Sequence, residues 1–115
     1  GFGLMAFAGG DIRSGFDIIS GALELEAAVL AADLVIGAEG HLDRQSAMGK
    51  APARLRELAR EHGKPTLAVA GRVSERAGFD SVLSLKTVAE SEADSIRNAG
   101  RHIRRLVADW ARRNL

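Results

Sequence analysis

Glu39, His41, Asp43, Gln45, Ser46 and Lys50 crowd into one short stretch between an apolar run and a proline, with glycines at 37, 40 and 49 interspersed. Two carboxylates at this spacing can share a Mg²⁺ ion, or one of them can orient a hydroxyl. The same pair could equally cap a turn, Asp43 in particular leading a short helix around Gln45 to Met48. Lys50 lies just before a helix start, where backbone N–H groups and the helix dipole favour phosphate, and the glycines let the backbone approach an anion. A lysine that snorkels at a turn is the other reading of Lys50. The Gly49-Lys50 pair is not a phosphate-binding P-loop, because that motif needs a glycine where Arg44 stands and a Ser or Thr where Ala51 stands. His41 has no second histidine close by in sequence, so a hydrogen-bonding role outweighs a metal-ligand one.

These residues must be positioned by the elements around them. Leu34-Val35-Ile36 is short, β-branched and bounded by turn-formers, the mark of a strand buried on both faces. Pro52 opens a helix with Leu55, Leu58 and Ala59 as its apolar stripe, closed by Gly63. Thr66 to Ala70 is a second apolar strand, so the chain from Asp33 to Ala70 forms a strand–loop–helix–strand unit of the length of a right-handed parallel crossover. Gly71 to Gly78 reads as a loop at the same sheet edge, and residues 82–85 as a third strand. In open parallel sheets ligands bind outside the carboxyl ends of the strands, which is where the loop carrying Glu39 to Lys50 falls. The expected fold class is α/β, a three-layer arrangement with a mainly parallel sheet and helices on both faces.

The remaining segments read as helices. Phe2 to Ala8 is apolar on nearly every side and stops at Gly9-Gly10, a pattern for a buried helix with a glycine cap. Ser14 caps a helix through Leu23, and a further helical pattern runs from Leu25 to Ala32, the two pieces being expected to cover one sheet face. From Val88 to the end the pattern is helical, with Ile96, Ala99, Ile103, Leu106, Val107 and Trp110 as one stripe, acids early and arginines late.

Bulk properties exclude several classes. A chain of 115 residues with a formal charge of +1 gives no electrostatic footprint for nucleic acid or an anionic membrane. The arginines at 97, 101, 104, 105, 112 and 113 lack interleaved aromatics other than Trp110, so they read as a solvated face. No apolar run reaches the roughly 18 residues of a membrane span. The absence of cysteine removes thiolate metal sites and fits a reducing, cytoplasmic compartment. Gly1, sitting inside an apolar run without a start signal, leads us to expect a piece of a longer polypeptide.

The segment from Ala32 to Pro52, ADLVIGAEGHLDRQSAMGKAP, resembles the signature of bacterial type I glycerate kinases, approximately ADLVITGEGRLDxQSxxGKxP. Gly3 to Phe7 with Ile12 to Gly15, and Pro65 to Gly71 against PVIALAG, extend the resemblance over nearly the whole chain. It covers about the last third of a family member, so residues 1–115 are expected to be the C-terminal part of a two-domain α/β kinase and to be inactive in isolation. The resemblance implies ATP-dependent phosphorylation of a D-glycerate hydroxyl with Mg²⁺, in a cleft between domains. Glu39, Gly40, Leu42, Asp43, Gln45, Ser46, Gly49, Lys50 and Pro52 match the signature. From their chemistry, Glu39, Asp43 and Lys50 are the catalytic candidates, with Asp43 also the candidate metal ligand. Gly40, His41, Gln45, Ser46 and Gly49 are candidates for substrate binding. The sequence departs from the signature at Gly37 (Thr), Ala38 (Gly) and His41 (Arg), and a neutral imidazole cannot grip an anion with a guanidinium fork. A non-catalytic α/β anion-binding or interaction module derived from such a kinase is the alternative.

Overall fold

The computed structural model describes residues 1–44 and 51–115. The sheet forms where the apolar runs predict it. Strands β1 (Val35–Leu42), β2 (Thr66–Val73) and β3 (Ser81–Ser84) are all parallel, in the order β1-β2-β3, so β1 and β3 are the edges. Val35 pairs with Thr66 and Ile36 with Leu67, which makes the two predicted strands direct neighbours. Helices α1 (Phe2–Ala8), α2 (Gly15–Ala22) and α3 (Leu25–Ala31) precede β1, and α4 (Ala51–Glu61) lies between β1 and β2. After β3 a 3₁₀ turn (Leu85–Thr87) leads to α5 (Glu92–Arg97) and α6 (Ala99–Asn114).

The two sheet faces are covered differently. On one face α4 and α3 meet the sheet through Val29, Val35 and Ala59, with Leu55 and Leu58 packed alongside, as the stripe on α4 predicts. On the other, Leu67, Val69 and Leu85 pack against Ala99, Leu106, Val107 and Trp110, which seats α6. Burying a leucine such as Leu67, which is fully enclosed, contributes on the order of 2 kcal/mol. Gly63 ends α4 in the left-handed conformation (φ 63°), which glycine adopts without the Cβ penalty, and Lys64 N–H returns to the Ala59 carbonyl at 2.8 Å. No described helix is long and apolar enough to cross a membrane.

Several boundaries differ from the sequence reading. β1 runs to Leu42 because β2 also continues, to Val73, and supplies partners: His41 pairs with Arg72 and Leu42 with Val73. Glu39, Gly40 and His41 therefore sit on a strand and not in a loop, and Gly71 to Val73 belong to β2. β3 ends at Ser84, one residue early, since Leu85 turns into the 3₁₀ segment. The C-terminal helix starts at Glu92, with Ser91 accepting a hydrogen bond from Asp94 N–H, and breaks at Asn98. α1 is not buried: Phe2 and Phe7 are 82% and 90% exposed, because no described segment packs over them. α2 likewise buries no residue and rests on α3, so of the two helices expected to cover the sheet only α3 reaches it.

The join between β1 and β2 is unusually close at one point. A Cβ added to Gly71 would lie 2.7 Å from the Gly40 carbonyl oxygen, a backbone atom that cannot swing aside. Past this point the alternation of faces breaks, since Leu42 clusters with Ala68 and Ala70 although its position along β1 would place it on the opposite face. The start of β2 is fixed by a reciprocal clasp. Asp80 Oδ2 accepts from Thr66 N–H at 2.8 Å and from Thr66 Oγ1 at 2.7 Å, while Asp80 N–H donates to Thr66 Oγ1 at 3.1 Å. Thr66 is 1% exposed, so water cannot replace these bonds.

Three outcomes are expected. Gly71→Ala should cost about 1–3 kcal/mol by overpacking against the backbone, read as a lower denaturant midpoint. Asp80→Ala should cost a similar amount, about 1–3 kcal/mol, by orphaning the Thr66 N–H. Hydrogen bonds from the Thr66 hydroxyl, then from its amide, hold the Asp80 carboxyl below the usual carboxylate range. Its stabilisation is thus complete above about pH 4, the unfolded value, and is lost as pH falls through the lower folded value. Asp80→Asn should flatten that acid limb of the stability profile.

Candidate functional site at the strand ends

The carboxyl ends of β1 and β2 open into a cleft of about 1080 Å³, walled on one side by Ala51 and Pro52 of α4 and on the other by the segment from Leu85 through α5 to Ile103. Glu39, Gly40 and His41 all line it, and so do Gly71, Arg72, Lys86, Glu90 and Glu92. Ile96 and Ile103, which the helical pattern assigned to the buried stripe, face this cleft instead and are 74% and 38% exposed.

Glu39 is half-buried on β1, paired in register with Ala70, and its carboxylate makes no hydrogen bond or ion pair with another described residue. His41 is held from several sides. Its Nε2 lies 2.7 Å from Ser74 Oγ, and its Nδ1 is 3.4 Å from an Arg72 guanidinium nitrogen and 3.8 Å from Asp43 Oδ2. Because arginine only donates, the Arg72 contact uses the tautomer with the proton on Nε2, which then donates to Ser74, whereas the Asp43 carboxylate beside Nδ1 favours the other tautomer. Ser74 is kept in place by its own N–H, which bonds the Leu42 carbonyl at 2.9 Å. Asp43 is half-buried just beyond β1; it does not line the cleft itself but stands beside the imidazole that does. Gln45, Ser46, Gly49 and Lys50 lie outside the described residues. Among the described residues no three His, Asp or Glu side chains converge as metal ligands.

The far wall depends on a residue that the helical pattern treated only as an early acid. Asp94 accepts from Asn98 Nδ2 at 2.6 Å, from His102 Nε2 at 2.9 Å and from the Glu90 N–H at 3.1 Å. The Asn98 amide, followed by the Glu90 N–H and His102, holds its carboxyl below the usual range. His102 is 5% exposed, so this is a satisfied structural histidine. The signal was available in Ser91-x-x-Asp94, a capping pattern. Arg72 and Ser74 had no such signal, because their meeting with His41 depends on strand register.

The strand ends of this open parallel sheet carry a carboxylate without a partner among the described residues, an imidazole and a guanidinium around a cleft, at the edge where open α/β sheets commonly bind small molecules. A model of the glycerate kinase family matches residues 1–114. The chain is 34% identical over 105 residues to a glycerate 2-kinase of Escherichia coli strain K12, covering 86% of this chain and 28% of that protein. A glycerate kinase of Bacillus subtilis strain 168 is 30% identical over 117 residues, 96% of this chain and 31% of the relative. A solved chain from Salmonella typhimurium LT2, described as a glycerate kinase 2, superimposes with a TM-score of 0.55 at 39% identity, over 71% of this chain and 21% of that one. The chain belongs to the glycerate kinase family, and it spans under a third of the length of these relatives.

The Asp94 clasp makes a local prediction. Asp94→Asn should speed hydrogen exchange of the Glu90 amide by removing its charged acceptor, while amides of Leu67 to Val69 in the sheet keep their protection.

Proposed function

We propose that the protein transfers the γ-phosphoryl group of ATP to a hydroxyl of D-glycerate in the cytoplasm, using Mg²⁺, and that these 115 residues supply one wall of the reacting cleft. The observation that carries this reading is Glu39: a half-buried carboxylate without a partner among the described residues, at a strand end, in a chain of the glycerate kinase family. Phosphoryl transfer asks a protein chiefly for positioning and charge stabilisation, so a few oriented side chains suffice.

Glu39 and Asp43 provide hard oxygen donors beside an open cleft, which suits Mg²⁺, an ion that commonly takes one or two carboxylates and completes its shell with water and phosphate. When bound, Mg²⁺ would neutralise charge on the phosphate oxygens. In this reading one of the two carboxylates holds the ion and the other orients the attacking hydroxyl and accepts its proton. Lys50 offers a cation to a phosphate oxygen, and Gly40, His41, Gln45, Ser46 and Gly49 shape the substrate contacts. The glycines let backbone N–H groups come close to an anion. The short span relative to the Escherichia coli and Bacillus subtilis proteins supports a site completed by further polypeptide, so the 115 residues by themselves should not turn over ATP.

The intact protein should form ADP from MgATP in a manner dependent on D-glycerate. Asp43→Asn and Glu39→Gln keep shape and remove charge, and each should lower kcat by about 10²-fold or more, a few kcal/mol of transition-state stabilisation. Full activity in both variants would reduce Glu39 and Asp43 to structural residues. Absence of glycerate-dependent turnover in the intact protein would leave a non-catalytic anion-binding module.

A further inference from the structure

We propose that Arg72 is the oxyanion-gripping residue of the cleft, recognising a carboxylate or phosphate group on one of the substrates. The proposal rests on the kinase reading for the identity of those substrates, but its geometry stands apart from it. Arg72 projects from the end of β2, lines the same cleft as Glu39 and Lys86, and is exposed. It forms no ion pair with any carboxylate among the described residues, although Glu39, Glu90 and Glu92 line the same space. Among the described residues its one hydrogen-bond contact is to Nδ1 of His41, its partner in the parallel register.

That contact has a specific effect on the guanidinium. A carboxylate partner would cancel the charge, whereas an imidazole lone pair engages one N–H and leaves the cation and its other donors available. The imidazole is in turn oriented by Ser74, so a chain of two hydrogen bonds aims Arg72 from the strand ends. A planar fork held in this way suits bidentate recognition of a carboxylate or phosphate. It also places a guanidinium beside position 41, where the signature carries arginine and this chain carries histidine. His41 then acts as a positioning residue and Arg72 makes the contact.

The test uses the intact protein with Arg72→Gln, which keeps a planar amide without charge, and Arg72→Lys, which keeps charge without the fork. Thermal unfolding should match the wild type, since the side chain is exposed. With D-glycerate varied at saturating MgATP, and then MgATP varied at saturating glycerate, Arg72→Gln should raise one KM at least tenfold, more than it changes kcat. The substrate whose KM moves carries the oxyanion. Arg72→Lys should recover only part of the loss. Both KM values within twofold of wild type would overturn the proposal. Should the intact protein lack glycerate kinase activity, the functional reading falls while this one is judged by calorimetry with inorganic phosphate and with D-glycerate. Binding by wild type that Arg72→Gln weakens at least tenfold supports it. Equal binding by the two proteins, or no binding of either probe by wild type, overturns it.

Discussion

The parallel pairing of β1 with β2 is the constraint from which the rest of the architecture follows. It brings residues 31 positions apart in the chain, His41 and Arg72, side by side, and it requires that Gly71 carry no side chain where the Gly40 carbonyl passes. A parallel pair cannot be joined by a tight turn, so a crossover is obligatory, and α4 fills it while covering the sheet face below. Gly71 thus has a steric purpose in the ladder, whereas a Cβ at Gly40 would meet no atom within 4 Å. The reciprocal clasp between Thr66 and Asp80 secures the other end of the same strand, so β2 is held at both ends.

Among the described residues, neither Arg72 nor Glu39 in the cleft is in an ion pair. His41 and Ser74 steady Arg72 without neutralising it, and Glu39 has no cationic partner among the described residues. On the opposite wall the arrangement is reversed: Asp94 is satisfied by Asn98, Glu90 N–H and His102, which spends its charge on structure. The two carboxylates illustrate how environment separates an acid satisfied within the scaffold from one without a partner among the described residues.

Much of this was legible in the sequence, for identifiable reasons. Leu34 to Ile36, Thr66 to Ala70 and the stripe Leu55, Leu58, Ala59 are periodic apolar patterns, and periodicity survives in the fold because burial enforces it. The extension of β1 through Glu39, Gly40 and His41 was not legible, since glycines and a charge read as a turn until a neighbouring strand offers hydrogen bonds. Phe2 and Phe7 misled in the other direction: apolar composition shows a need for a partner but does not supply one. Within the site, Glu39 and His41 were found as cleft residues from their local motif. Arg72 and Ser74 were missed because tertiary register, and no local spacing, brings them to His41.

The position of β1 at the margin of the sheet has a consequence for handling the polypeptide. Between Val35 and Gly40 the strand carries two glycines and no charge before Glu39, and Ile36 is 48% exposed. Natural edges are commonly blunted by lysine, proline or a bulge that discourages a stranger from docking. Here the outward-facing amides and carbonyls between Ile36 and Ala38 form an uncharged template. In a solution of these 115 residues alone, self-association through strand addition should therefore grow with concentration while the fold itself is kept.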